Sequence, residues 1–227
     1  MADLRRGAGR VGGFLTALVL TGVSACAAGG PSRRELERIA TSAEVEAARE
    51  RTERELDARV QAVRAAVPWL ETLSVIVYDQ CRDVRGNAHL FDPAPPGKTA
   101  LVCRMSAYVV FSADRTPPGV VADVRASGVT QWTESSVNDT LAYYGKDSGG
   151  RLSDRYVPSL TSVSGGPLRE SLRWDTERAK VSVSFPEGAV WSRLVHRYGE
   201  KSLEALRREK GPLYLWAFHT DAYHRVP

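Results

Sequence analysis

Leu73-Ser74-Val75-Ile76-Val77-Tyr78-Asp79-Gln80-Cys81 and Ala100-Leu101-Val102-Cys103-Arg104-Met105-Ser106-Ala107-Tyr108-Val109-Val110-Phe111-Ser112 are the two stretches on which the fold turns. In the first, Leu73, Val75 and Val77 alternate with Ser74, Ile76 and Tyr78, the period of a strand, and apolar residues in both registers imply burial on both faces. The second reads as another long strand, running to Ala113. The gap between them holds Pro93, Pro95, Pro96 and Gly97, residues that end strands and make turns. A hairpin of two long, buried strands is therefore expected at the centre of the molecule.

Upstream, residues 33–67 are rich in Arg, Glu and Ala and contain neither Gly nor Pro before Pro68. Ser32 with Glu35, and Thr41 with Glu44, have the spacing of capping boxes. A long helix is expected over 32–67. Leu56, Val60, Val63 and Val67 fall on one helical face and should dock on the sheet. The earlier turns carry only Leu36 and Ile39 as large apolar residues and read as a solvated stalk. A partner-binding coiled coil would need an apolar seam over three heptads, which this stretch lacks.

Downstream, Pro118–Ser127 reads as a short helix through Val120, Val121 and Val124, and a strand or short helix is expected near Thr140–Tyr144. Val181, Val183 and Phe185 alternate with polar residues, which suggests a strand over Leu172–Phe185. Ala189–Lys210 reads as a helix interrupted near Gly199, with His196 on a solvated face beside Arg193 and Arg197. Leu213–Ala222 closes as an aromatic strand. Helix, hairpin, then helices alternating with strands give an α+β class: a long N-terminal helix followed by a mostly antiparallel sheet packed with helices, with residues 68–227 as one globular domain. The five tryptophans, Trp69, Trp132, Trp174, Trp191 and Trp216, are expected in the core, although Trp132 lies in a polar stretch.

The first 26 residues have a separate logic. Arg5, Arg6 and Arg10 give a basic start, and Val11–Val23 carries no charge. That run is too short for the ~20 residues a spanning helix needs, and Ser24-Ala25-Cys26 follows it. These are the parts of a secretory signal in order, and Val23-Ser24-Ala25-Cys26 resembles the lipobox of bacterial lipoproteins. The resemblance implies removal of residues 1–25, a diacylglyceryl group on Cys26, and a short lipidated linker over 26–31. It implies a protein anchored in the cell membrane by lipid and facing the extracytoplasmic side. The preference for Arg over Lys, with abundant Ala, Gly, Val and Pro, is what GC-rich codons produce and fits an actinobacterial source.

Lipid on Cys26 would leave Cys81 and Cys103 in an oxidising compartment, where one disulfide between the two strands is expected. It would close a proline-bearing loop at roughly 3 kcal/mol on the chain-entropy model.

The chain holds 31 Lys and Arg against 27 Asp and Glu; without Arg5, Arg6, Arg10 and Asp3 the balance is 28 against 26. A near-neutral mature chain argues against a nucleic-acid partner, which needs a concentrated basic face.

Among chemical constellations, His219, Asp221 and His224 form an H-x-D-x-x-H cluster whose donors suit zinc. The trio fixes no further ligand, and polar residues where a last strand leaves the core explain it equally well, so no metal or cofactor is expected. No nucleophile elbow, P-loop or dinucleotide fingerprint occurs. Asp175 and Glu177 read as solvated carboxylates at a strand edge. The expected function is a non-catalytic binding module for a small ligand or an unknown envelope protein. The alternative is an envelope enzyme, such as a metal-assisted hydrolase on the C-terminal cluster.

Overall fold

The computed structural model describes residues 30–84, 100–130, 132–144, 157–163 and 168–226. The signal region, Cys26 and most of its linker lie outside the described residues. The elements are, in order, α1 (Arg33–Ala40), α2 (Ala43–Ala66), β1 (Glu71–Asp83), β2 (Leu101–Ser112), α3 (Pro117–Ala126), α4 (Glu134–Tyr144), β3 (Ser159–Val163), β4 (Leu168–Trp174), β5 (Trp191–Tyr198), α5 (Leu203–Lys210), β6 (Tyr214–Thr220) and β7 (His224–Val226). All strand pairs are antiparallel. The sheet order is β3-β4-β6-β2-β1-β5, with β7 pairing β2. The class is α+β.

β1 and β2 form the expected hairpin at the centre, and Cys81 faces Cys103 across it. The two cysteines are joined as a disulfide. Because opposed residues in a ladder share a face, the register sorts every side chain. Val75, Val77, Val109, Phe111, Trp216 and Phe218 turn toward α2 and α3, where Leu56, Val60, Val63, Val120, Val121 and Val124 bury them. Ile76, Tyr78, Tyr108, Val110, Leu215 and Ala217 turn the other way. There they meet α5, through Leu206, and a strap over residues 175–190 that brings Val181, Val183 and Phe185.

Four sequence expectations change. The helix over 32–67 is two helices. The Ser32–Glu35 capping box is present, but Thr41 caps the end of α1 and the Ser42 hydroxyl accepts the Val45 N–H to start α2. Adjacent hydroxyl side chains compete with the helical backbone, and the Thr41 hydroxyl donates to the Glu37 carbonyl at 3.0 Å. Thr41 and Glu44 therefore do not form a capping box. Nor are the early turns a stalk: Leu36, Ala40 and Val45 are fully buried against Cys81, Leu101 and Cys103. Small alanines let the helix approach closely enough for few large residues to seal that end.

Third, residues 191–198 are a strand. Trp191–Tyr198 pairs with β1 along its whole length, so cross-strand pairing overrides the helical reading and puts His196 on an edge strand. Gly199 ends that strand at φ +63°, where a Cβ would lie 2.2 Å from the Leu73 carbonyl oxygen. Only glycine permits that approach. Fourth, the strand expected over Leu172–Phe185 stops at Trp174, and Asp175 is buried instead of solvated. Its carboxylate accepts from the Val181 and Leu213 backbone N–H groups at 2.7 and 3.0 Å and from Arg207 Nε at 2.8 Å. That carboxylate ties the strap to β6 and α5.

Trp132, Trp174 and Trp216 are buried. Trp132 stacks on Trp216 at 5.9 Å, so it serves the core and not a groove.

Candidate functional site

Charge is distributed unequally over the two faces. Toward the helices, Arg49 is 1% exposed; its Nε donates to Asp79 at 2.7 Å, its Nη2 donates to the Ala40 carbonyl at 2.9 Å, and its guanidinium lies 3.8 Å over the Trp191 ring. Tyr223 donates to the other Asp79 oxygen at 2.8 Å. Burial pushes the Asp79 carboxyl up, while the Tyr223 hydroxyl and Arg49 oppose that push. Arg59 grips the buried Glu170 in a fork at 2.5 and 2.9 Å. Arg193 and Arg197 both reach Glu53 of α2.

On the opposite face, β4 alternation sends Arg169, Ser171 and Arg173 away from the helices. Thr161 stands opposite Ser171, Ser159 opposite Arg173, and His219 opposite Arg169. With Tyr108 from β2 and Ser184 from the strap, these residues line a cavity of about 400 Å³, a size that holds a small molecule. Glu170 also borders the cavity, but its carboxylate is engaged by Arg59.

Arg173 decides the character of this cavity. It is half-buried, no carboxylate among the described residues pairs with it, and its Nε is buried without a hydrogen-bond partner. Burial pulls its pKa down, though a guanidinium stays charged. Arg169 at the rim meets Asp221 at 3.5 Å, with both side chains largely exposed. His219 is held below the ordinary histidine value, first by burial and then by Arg173 and Arg169. Its Nδ1 lies 2.9 Å from the Ser106 hydroxyl, and its ring stands roughly perpendicular to that of Tyr108 at 5.8 Å. The Ser106–His219 pair orients the imidazole. Ser106 does not line the cavity, and the charged neighbours of His219 are arginines, so the orienting carboxylate of a nucleophile–base pair is missing among the described residues.

The C-terminal cluster is not brought together. His219 pairs with Ser106 and lies on the cavity face, whereas His224 pairs with Cys103 and lies on the helix face. Asp221 sits at the rim with Arg169. No group of three or more His, Cys, Asp or Glu among the described residues is placed to hold a metal ion. The cause is the turn between β6 and β7, which puts two histidines of one short motif on opposite sides of the sheet.

Sequence reading picked out His219 and missed Arg169 and Arg173. Their signal was present in Leu168-Arg169-Glu170-Ser171-Leu172-Arg173-Trp174, where Arg169, Ser171 and Arg173 alternate with Leu168, Glu170, Leu172 and Trp174 on a half-buried strand. Comparison with protein-family models, curated proteins and solved structures finds no match to this chain.

Proposed function

We propose that the mature protein is a lipid-anchored, extracytoplasmic, non-catalytic module that binds an anionic ligand in the cavity at Arg173. The address rests on the signal and lipobox pattern ending at Cys26. The ligand chemistry rests on one observation above all: a half-buried guanidinium with a partnerless Nε, in a cavity walled by hydroxyls, an imidazole, a second arginine and Glu170, whose carboxylate is already held by Arg59. Burying an uncompensated charge is costly, so a carboxylate or phosphate is the group that fits. The Ser159, Thr161 and Ser171 hydroxyls supply donors around it, and Tyr108 supplies an apolar wall.

Calorimetric titration of the mature protein with inorganic phosphate and with succinate tests the ligand class. Saturable binding of at least one anion is expected, weakened about tenfold or more in Arg173→Met, the scale of a lost charge-assisted hydrogen bond. Equal affinity in the variant, or binding of neither anion by the unaltered protein, refutes the reading. For the address, Cys26→Ser should move the protein from the membrane to the soluble fraction; unchanged retention refutes the anchor.

A further inference from the structure

The cavity is one end of a longer basic strip. Cross-strand rows on the open face, named by their β2 residue, carry Arg82 and Arg225 at Val102, then Arg104 itself, then Arg169 with His219 at Ser106, and, past a Tyr108 row without arginine, Arg173 at Val110. From the first of these rows to the last is roughly 26 Å at about 3.3 Å per residue. Between them, no described strand residue on this face is Asp or Glu. Arg104 and Arg225 are exposed, and neither is paired with a carboxylate among the described residues. Arg82 is half-buried, with its Nε buried and partnerless. The strap packs on Tyr78, Tyr108 and Val110 through Val181, Val183 and Phe185, and the arginines follow its border from β1 across to β4.

We infer that this strip is the track of a linear polyanion, a chain with repeated phosphate or carboxylate groups, one of which enters the cavity at Arg173. The inference rests on the reading of the cavity as an anion site and extends it from a single group to a polymer. Guanidinium groups at four of the five rows from Val102 to Val110, ending in a recess, match a flexible chain that can dip a charge into a pocket. Arg104 and Arg225 would contact groups beyond the one in the cavity, so chain length should add affinity by raising the effective concentration of each next contact. Repeated charge contacts should also make chain binding more sensitive to salt than binding of a single ion.

The experiment measures binding of inorganic phosphate, triphosphate, a polyphosphate long enough to span the face, and poly-glutamate to the mature protein and to two variants, Arg173→Met and the double variant Arg104→Glu/Arg225→Glu. One long polyanion should bind roughly tenfold or more tightly than triphosphate, with a steeper loss on adding salt. The double variant should lose that advantage and keep its affinity for inorganic phosphate; the two polymers distinguish phosphate from carboxylate repeats. If inorganic phosphate binds through Arg173 but the long chains gain nothing over triphosphate, or gain equally in the double variant, the track is refuted and the cavity reading stands. If nothing binds, both fall. If vesicles of anionic phospholipid bind with the same dependence on Arg104 and Arg225 while the polymers do not, the strip is a membrane contact and the polymer inference is overturned.

Discussion

On the face covered by α2 and α3, Arg49, Arg59, Arg193 and Arg197 each meet a carboxylate; on the opposite face Arg207 holds Asp175 and Arg169 meets Asp221 at the rim, but Arg82, Arg104, Arg173 and Arg225 meet none among the described residues. The same residue type, on strands and helices of the same domain, is used in two ways. The paired arginines fasten helices to the sheet. The unpaired ones make no such tie, and two of them, Arg82 and Arg173, sit half-buried with no carboxylate partner among the described residues. The difference separates residues that hold the fold from residues that face a ligand.

The largest effect should come from breaking a helix-face pair. Arg49→Met leaves the buried Asp79 without its cation and with only the Tyr223 hydroxyl on it, and unfolding in urea should show a loss of about 3–5 kcal/mol. The double variant Arg49→Met/Asp79→Leu should recover most of it, since a matched apolar pair removes both charges; no recovery would mean that Arg49 acts through its Trp191 and Ala40 contacts instead. Next, reduction of Cys81–Cys103 should lower stability by roughly 3 kcal/mol, read as a shift of the urea midpoint with and without reductant.

A smaller effect belongs to His219. Its folded pKa lies below the ordinary value of about 6.5, so the folded protein favours the neutral ring. The stability linked to it is intact above that value. It declines as pH falls, because the unfolded chain takes up the proton first, and it levels off once the folded ring titrates. Urea midpoints at descending pH should show this decline, and His219→Gln should flatten it. Anion affinity should move the other way and rise on acidification, as the ring gains charge beside the bound group. Smallest of all, Arg104→Gln and Arg225→Gln should change stability by no more than about 0.5 kcal/mol; a loss of several times that would place these residues with the structural arginines.

The central hairpin was legible because β1 and β2 carry apolar residues in both registers and flank a proline-bearing turn, local signals that tertiary context did not override. α3 was legible in the same way. The β5 strand was not, because Trp191-Ser192-Arg193-Leu194-Val195-His196-Arg197-Tyr198 satisfies either period until its pairing with β1 is known. Docking of α1 was hidden by its charge: Leu36 and Ala40 are enough to cover the disulfide end. The site was half legible. His219 stood out by residue type, but its supposed partner His224 is separated from it by the pleat. Arg173 becomes meaningful only when Glu170, three residues earlier, is seen to be taken by Arg59 from a helix far away in sequence. Alternation along β4 shows that the two point apart; only the tertiary structure shows which of them lacks a partner.

The comparison between faces is tested most directly by measuring the unfolding free energy of Arg59→Met and Arg173→Met side by side, without added ligand. Arg59→Met orphans the buried Glu170 and should destabilise by about 3 kcal/mol. Arg173→Met should be as stable as the unaltered protein or more so, as expected where a residue is kept for binding at the expense of stability. A loss in Arg173→Met comparable to that in Arg59→Met would show that Arg173 holds the fold, and would contradict its assignment to a ligand.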